Sequence, residues 1–435
     1  MSFFLFLLTV ATLYIRPGEL FPGLDGLPIY AGLLTLCVIG AHRSIFEQLT
    51  WKSLRRNPIT LCLLGLVGAA AISHLTHIYV SGALEAAEEV ARSLVLYLVL
   101  VAVVNTPRKF QTLLATVALS GLVMISLSLL DYYEVIDIEK LVHVVDFEET
   151  PFAEEMIAIP RLCGMGLFGD PNDISMVIVA TGMICLYFFL DQDLGPFRVL
   201  WLLPMGILAA ALLATHSRGG LIGFGGALFA LLLFRFSKKV AITAVVCAGL
   251  LLPIVAGRQG NMDIESGTGQ DRIQLWQEGL SELKSAQILF GIGMDQYGDT
   301  VGLVAHNSFV HAYVELGFFG GTLFFGVFFL TGLALLRLHR ERIGENLHPQ
   351  LARAYPFVAA ILAGWGTAML TLSRCYVMPT FLTFGIVGAY LNLAGYYLHA
   401  RKPLLVWNRE LVWRLSGCSA AMLVGLFAFV KIFAH

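Results

Sequence analysis

Residues 317–336 read GFFGGTLFFGVFFLTGLALL, a stretch of twenty residues without a charged side chain. Because an α-helix rises about 1.5 Å per residue, such a stretch can cross a hydrocarbon core about 30 Å thick. The stretch belongs to one of thirteen apolar runs, which lie at 2–15, 27–41, 59–79, 84–104, 110–130, 171–190, 197–215, 219–236, 239–256, 306–336, 351–372, 377–398 and 415–434. This pattern predicts an all-α polytopic membrane protein, a bundle of about twelve, or thirteen, transmembrane helices.

The composition of the whole chain supports the same fold class. Of its 435 residues, 57% are hydrophobic and only 13% are charged, whereas about 25% are charged in an average soluble domain. The mean hydropathy is +0.78. A net charge of -2 gives no indication of nucleic-acid binding, so we expect no nucleic-acid partner.

The distribution of basic residues predicts how the bundle is oriented. Basic side chains fall in alternate short loops, at Arg43, Lys52, Arg55, Arg56, Arg108, Lys109, Arg198, Arg235, Lys238, Lys239, Arg337, Arg340, Arg342, Arg353, Arg401, Lys402, Arg409 and Arg414. Cytoplasmic loops carry an excess of Lys and Arg, so we expect these loops in the cytoplasm. The outer side then receives two long connections, 131–170 and 257–305. The second contains DRIQLWQEGLSELKSA (271–286), which is typical of a short amphipathic helix.

The first of five polar stretches on the predicted outer side is RLCGMGLFGDPNDIS, 161–175. Asp170 suits a helix N-cap and Pro171 suits the first helical turn, which favours a helix start at this point. Arg161 is not explained by that reading. Asn172 lies beside the cap and is a candidate supporting residue.

Two further stretches each place an arginine at the outer edge of the membrane. In THSRGG (215–220), Arg218 follows Ser217 in a tight break between two apolar runs. In GQDRIQLWQEG (269–279), Arg272 begins the predicted amphipathic helix. The alternatives are a snorkelling arginine at the first position and a surface arginine paired with a nearby carboxylate at the second.

The fourth stretch is AHNSFVHAYVELGFFGG, 305–321. Asn307, His311 and Glu315 are spaced i, i+4, i+8, which predicts a polar stripe on one helix face. His306 lies at the outer start of the stripe. A carboxylate at the depth of Glu315 needs a partner or water, so an interhelical hydrogen-bond network is the alternative to a functional role.

The fifth stretch, LSRCYVMPT (372–380), adds a second Ser-Arg pair at an outer turn. Four of the few outer cations therefore come from separate segments: Arg161, Arg218, Arg272 and Arg374. Guanidinium groups gathered around one cavity match the oxygens of a multiply charged anion such as a phosphate. We expect them to lie together beside His306.

No metal or cofactor is expected. No DxD pair stands at the start of an outer loop to hold a divalent metal; Asp170 and Asp173 are the only close candidates, and helix capping explains Asp170 better than metal binding. The seven cysteines show no C-x-x-C spacing. A disulfide between Cys163 and Cys375, which both lie near outer polar segments, is left open.

These motifs together resemble those of a known superfamily. GDPNDIS after Arg161, THSRGG before a long apolar run, and AHNSFVHAYVELGFFGG after a long outer loop resemble the O-antigen ligase and O-antigen polymerase superfamily. The resemblance spans about 160 to 390. The absence of a large outer C-terminal domain resembles the ligases and some of the polymerases more than the protein-modifying branch, and we interpret the chain as most similar to the lipid A–core:O-antigen ligases.

The resemblance implies a single membrane-embedded glycosyltransferase domain over 1–435, in a bacterial inner membrane, with its active site facing the periplasm. It implies transfer of a glycan from undecaprenyl diphosphate to a hydroxyl of lipid A–core or another glycan, without a metal ion. The family roles fall on His306 as catalytic base and on Arg218 and Arg272 as diphosphate-binding residues. We extend the anion-binding role to Arg161 and Arg374. The expected supporting residues are Asn172, Ser217, Asn307, His311 and Glu315.

The expected chemistry fits these residue types. A neutral imidazole can take the proton of an attacking hydroxyl near neutral pH. The leaving diphosphate needs fixed positive charge rather than an acid, and direct displacement inverts the sugar. Two alternatives stay open: a polymerase that uses a second lipid-linked glycan as acceptor, and a transporter in which Glu315 and His311 relay protons.

Overall fold

A computed structural model describes residues 1–149, 156–255, 268–341, 346–398 and 403–434. The structure is 79% helical with almost no strands, which confirms the all-α class. Nine helices within the described ranges are long and apolar enough to cross a membrane. The chain is therefore a polytopic membrane protein, and the count of twelve or thirteen spans stays a prediction.

Every predicted apolar run coincides with a helix. The helices are α1 (Ser2–Ile15), α2 (Pro17–Leu20), α3 (Ile29–Gln48), α4 (Trp51–Arg56), α5 (Pro58–Leu75), α6 (Val80–Val103), α7 (Pro107–Tyr132), α8 (Pro171–Leu190), α9 (Leu202–Ala214), α10 (Arg218–Arg235), α11 (Lys238–Val255), α12 (Thr268–Ser281), α13 (Gln287–Phe290), α14 (Tyr297–Val301), α15 (Ser308–Arg340), α16 (Pro349–Ala368), α17 (Met378–Tyr397) and α18 (Arg409–Phe433). Short 3₁₀ turns occupy Pro22–Leu24, Gly166–Phe168 and Gln192–Trp201.

Side-chain caps fix where several of these helices begin. Asp170 accepts a hydrogen bond from the backbone of Asn172 and Pro171 follows it, so the predicted cap of α8 is confirmed. Thr106 caps α7 and Ser217 caps α10 in the same way. Each cap satisfies an N–H group that the first helical turn leaves without a partner.

Backbone contacts divide the chain into two compact units. The first unit comprises Met1–Gly40, Thr106–Gly260 and Arg353–Ala368, and the second comprises Ala41–Asn105, Asn261–Ala352 and Met369–His435. Each unit contains its own cluster of the polar residues that the sequence singles out. The arginines 161 and 218 belong to the first unit, and His306 belongs to the second.

Small residues let helices of the first unit approach closely. A Cβ added at Gly364 of α16 would lie 2.9 Å from the Cβ of Ala227 in α10, and one added at Gly223 would lie 3.0 Å from that of Ala368. Glycine and alanine at such positions allow tight backbone packing where lipid supplies no hydrophobic drive. Larger side chains would therefore push α10 and α16 apart.

In the second unit, α15 is broken at Gly317, which adopts φ 64°. The backbone N–H of Ile292 donates to the Val314 carbonyl at 3.0 Å, and that of Gly293 donates to the Glu315 carbonyl at 3.1 Å. The segment after α13 thus satisfies carbonyl groups that the break releases from the helix, as buried backbone in a membrane protein requires. The long predicted run is therefore two helical pieces.

Both long connections that the sequence predicts on the outer side contain regular structure. The first forms an antiparallel hairpin of β1 (Val144–Glu149) and β2 (Met156–Arg161), with Val144 opposite Arg161, which the acidic sequence did not predict. The second contains α12, which confirms the predicted amphipathic helix, shifted a few residues toward the N-terminus.

Candidate functional site

Arg161 lies at the end of β2, where the chain is hydrogen-bonded to the end of α9. The Leu162 N–H donates to the Ala214 carbonyl at 2.9 Å. The Arg161 Nε donates to the Thr215 carbonyl at 3.0 Å, and its Nη1 lies 3.2 Å from Asp146 Oδ2. The guanidinium of Arg161 is thereby bound to a carbonyl that lies three residues before Arg218 in the chain. The carboxylate of Asp146 balances part of its charge.

A chain of hydrogen bonds joins the first turns of α8 and α10. Ser217 Oγ donates to Asn172 Oδ1 at 2.6 Å and accepts from the Gly220 N–H at 2.9 Å. Asn172 Nδ2 donates to Asp170 at 2.9 Å. The next residue, Arg218, is the first of α10 and is partly exposed.

We call Arg161, Asn172, Ser217 and Arg218 the arginine corner. His216 beside it adopts φ 47°, a left-handed conformation that is uncommon outside glycine. Such strain persists where the surrounding hydrogen bonds fix the backbone, and it is frequent at binding and catalytic sites. With two guanidinium groups and the positive end of α10, the corner suits an anion.

In the second unit, His306 also adopts a left-handed conformation, with φ 48°. On its N-terminal side, the Ala305 carbonyl accepts a hydrogen bond from Trp276 Nε1 at 2.6 Å. On its C-terminal side, Asn307 caps α15. Its Oδ1 accepts hydrogen bonds from the N–H groups of Phe309 and Val310, at 3.0 and 3.2 Å. The backbone of His306 is therefore fixed from both sides, and its partly exposed ring precedes a helix start.

Ser308 binds this helix start to the segment that contains Arg374. The Ser308 N–H donates to the Met369 carbonyl at 2.8 Å, and its Oγ donates to the Leu372 carbonyl at 2.5 Å. The Arg374 N–H donates to Ser308 Oγ at 2.9 Å. The backbone of Arg374 is thus hydrogen-bonded to the helix start that follows His306.

Arg272 reaches the same region through α12. Trp276, whose indole donates to the Ala305 carbonyl, lies one helical turn after Arg272. Residues four apart share a helix face, so Arg272 lies on the face of α12 that contacts the residue before His306. The guanidinium is partly exposed.

His311 and Glu315 form a buried pair below His306. His311 Nε2 lies 3.1 Å from Glu315 Oε1, and that oxygen also accepts from the Tyr297 N–H at 3.3 Å. The Tyr297 and His311 rings are stacked, with centroids 5.4 Å apart. The predicted polar stripe is therefore present. We call His306, Asn307, His311, Glu315 and Arg374 the histidine cluster.

Tyr376 packs against this pair, with its ring centroid 6.3 Å from that of His311, and His311 Nδ1 is a buried polar atom without a hydrogen-bond partner among the described residues. The Glu315 side chain is fully buried and Tyr376 is 5% exposed. Buried polar groups are normally hydrogen-bonded. Water or a hydroxyl group of a ligand would satisfy His311 Nδ1.

The sequence did not single out several residues that complete the cluster. Asp295 lies beside it. Its side chain is exposed at the surface, but the surrounding protein reduces its hydration, and this loss together with the charges of Glu315 and Glu89 raises the pKa of its carboxyl to about 6. Nothing in the pattern GIGMDQYGDT distinguishes Asp295, because its neighbours come from distant helices. Trp276 and Ser308 lie inside the quoted motifs, but only the fold shows what they bind.

The sequence also raised the questions of a bound metal ion and of a disulfide between Cys163 and Cys375. Among the described residues, no group of three or more His, Cys, Asp or Glu side chains is close enough to hold a metal ion. Cys163 and Cys375 are both buried free thiols. The disulfide that the sequence left open is therefore not formed in this structure.

The chain also matches a known protein family. Residues 203–325 match the family described as O-antigen ligase, and this match confirms the predicted resemblance at the level of the superfamily. No curated protein matches the chain. The matched segment contains Arg218, Arg272 and His306, whereas Arg161 and Arg374 lie outside it. The match supports glycosyl transfer of the O-antigen ligase or polymerase type, by a multi-pass bacterial membrane protein.

Proposed function

We propose that this chain, whose residues 203–325 match the O-antigen ligase family, transfers a glycan from undecaprenyl diphosphate to a hydroxyl of lipid A–core. The observation that carries the proposal is the backbone of His306. It is left-handed, hydrogen-bonded on both sides and contained in the matched segment. Strain held in this way is typical of a residue whose side chain must point at a reacting group.

In the proposed reaction, the arginine corner binds the diphosphate of the donor. Arg218 stands at the first turn of α10, where the helix dipole adds positive charge. Arg161 is held beside it by the Thr215 carbonyl. As the bond from the sugar to the diphosphate breaks, negative charge grows on the leaving oxygen, and fixed guanidinium groups stabilise it. This supports transfer without a divalent cation.

His306 acts as the general base. Its imidazole takes the proton of the acceptor hydroxyl as the oxygen attacks the anomeric carbon. The oxygen forms its bond as the diphosphate leaves, so the configuration at the sugar inverts. Arg272 and Arg374 assist in binding the diphosphate, and Asn307 holds the start of α15 under the base. The buried pair of His311 and Glu315 supports that helix from below.

The active face is the periplasmic side of the bacterial inner membrane. This placement rests on the basic residues of the alternate short loops, which favour the cytoplasm. Arg55, Arg56 and Arg337 lie at the helix ends opposite to His306, since α5 begins and α15 ends there. The charge distribution thus supports a periplasmic site.

Glycan transfer by the purified full-length chain tests the proposal. The donor is a glycan on undecaprenyl diphosphate, and the acceptor is lipid A–core in one reaction and a second donor molecule in the other, with a chelator in both. The proposal expects glycosylated lipid A–core. Elongated donor alone would instead show a polymerase, and no product with either acceptor would contradict glycosyl transfer.

A deletion strain separates the two branches independently. Loss of a ligase leaves long glycan chains on the lipid carrier, so we expect no glycan on the core. Loss of a polymerase would instead leave single repeat units attached to the core, and that pattern would overturn the proposed acceptor.

A further inference from the structure

A polar cavity of about 560 Å³ lies in the second unit, at the end of its helices opposite to His306. Its walls are α4, the first turn of α5, the last turns of α17, one residue of α15 and the segment before α18. The lining residues are Gln48, Thr50, Lys52, Ser53, Arg56, Asn57, Pro58, Ile59, Ala334, Leu391, Asn392, Gly395, Tyr396, Pro403, Leu404 and Leu405. The proposed glycan transfer uses none of them.

The charged groups in the cavity wall are both cations. Lys52 and Arg56 line it, and none of the lining residues is acidic. The structure shows no ion pair for either cation among the described residues. Arg55, by contrast, is used in the fold, because its Nε donates to the Trp407 carbonyl at 3.3 Å. Within the described ranges, the cavity wall is thus positively charged and contains no carboxylate.

Polar groups and a helix terminus make the cavity still more favourable for an anion. Asn57 precedes α5 but does not cap it with its side chain, since its Nδ2 donates to Asn392 Oδ1 at 3.3 Å. The first turn of α5, Pro58 and Ile59, lines the cavity, so the positive end of an 18-residue helix lies at its wall. Such an end favours an anion.

Exposed aromatic side chains show the level of the cavity in the membrane. Trp51 beside it is 64% exposed and the lining residue Tyr396 is 76% exposed. Trp and Tyr are enriched where the bilayer meets water, at the depth of the lipid headgroups. The remaining wall includes Ile59, Leu391 and Leu405, which suit the upper part of an acyl chain.

We propose that this cavity binds the phosphate headgroup of an anionic membrane phospholipid. Lys52 and Arg56 contact the phosphate, the start of α5 adds its dipole, and the apolar wall receives the beginning of the acyl chains. Basic pockets between membrane helices bind such headgroups, because each nearby cation strengthens the attraction by about fivefold. A free phosphate lacks the apolar part and binds more weakly.

Lipid retention by the full-length chain tests the site. Native mass spectrometry from a neutral detergent measures the binding of phosphatidylglycerol, of phosphatidylcholine and of inorganic phosphate. We expect retention of phosphatidylglycerol over the other two. The double variant Lys52→Gln with Arg56→Gln should bind it about thirtyfold more weakly. The matched control, Lys238→Gln with Lys239→Gln, removes two exposed cations at the start of α11 and should change binding less than about twofold.

A second variant fills the cavity without changing charge. A Cβ at Gly395 would meet no atom within 4 Å, so Gly395→Leu extends into open space and should displace the lipid. Gly332→Leu, at a glycine of α15 that also faces open space, is its control. Unchanged lipid binding by Gly395→Leu would overturn the site. An equal loss of lipid binding in the Lys52/Arg56 and Lys238/Lys239 double variants would also overturn it. So would equal retention of phosphatidylcholine, or binding of inorganic phosphate as tight as that of the lipid.

Discussion

At the scale of single residues, the two clusters depend on side chains whose geometry matters more than their charge. Arg161 and Arg218 present planar groups of donors, and the first is already oriented by the Thr215 carbonyl. A lysine in the same place keeps the charge but loses the paired donors that fit two phosphate oxygens. The proposed roles therefore predict effects of conservative substitutions.

Arg218→Lys should lower kcat/KM for the lipid-linked donor by about tenfold or more, because a point charge replaces a bidentate fork. The matched control is Arg235→Lys, at the opposite end of the same helix, which should stay within about twofold of the parent. Steady-state transfer rates measure both. Equal rates for Arg218→Lys and the parent would leave Arg218 with a structural role only.

The raised pKa of the Asp295 carboxyl predicts how the stability of the fold depends on pH. Because its pKa rises from 3.8 to about 6 in the folded protein, the folded chain binds this proton more tightly than the unfolded chain. The carboxyl thus stabilises the fold at low pH, and this contribution is lost as pH rises through about 4 to 6. Asp295→Asn should flatten that part of the Tm profile.

The control for this pH effect is Asp299→Asn, a change of an exposed carboxyl in α14. Thermal unfolding in detergent across this pH range gives the profiles. The physical account of Asp295 fails if its variant and the control have the same slope.

At the scale of elements, local patterns predict helix starts well and helix interruptions poorly. Asp170 followed by Pro171 identifies the beginning of α8 without any tertiary information. The break in α15 is different, since three glycines lie close together in ELGFFGG. Which of the three glycines breaks the helix depends on tertiary contacts. The segment after α13 donates hydrogen bonds to the Val314 and Glu315 carbonyls, and this places the break at Gly317.

Gly317→Ala should destabilise the protein by at least about 2 kcal/mol. Its φ of 64° disfavours a side chain, and a Cβ would lie 2.4 Å from backbone atoms of Leu289 and Phe290. Gly332→Ala in the same helix meets no atom within 4 Å and should be neutral or stabilise by about 0.5–1 kcal/mol. Thermal unfolding of both variants measures the difference, and matching transitions would contradict the interpretation of the break.

At the scale of the whole molecule, composition predicts the class and the motifs predict which residues to study. The partners of those residues could not be predicted, because each comes from a distant stretch. Trp276 binds the residue before His306 across the long outer connection, and Ser308 binds the segment around Arg374. Likewise, the sequence of β1, VVDFEE, lacks the strict alternation of apolar and polar residues that predicts a strand, so the hairpin could not be predicted.

The match of residues 203–325 to the O-antigen ligase family joins these observations into one hypothesis of glycosyl transfer. Its central claim is that His306 removes the proton of the acceptor. Alanine at this position removes the base while the hydrogen bonds of Ala305, Asn307 and Ser308 still hold the helix start. The variant should therefore fold and fail in the chemical step.

The most direct measurement is the rate of glycan transfer to lipid A–core by purified His306→Ala, with His339→Ala at the far end of α15 as its control. We expect a loss of about 10²–10⁴-fold for the first variant, the range that general base catalysis contributes, and a rate within about twofold of the parent for the control. Transfer by folded His306→Ala at nearly the parental rate would contradict the account.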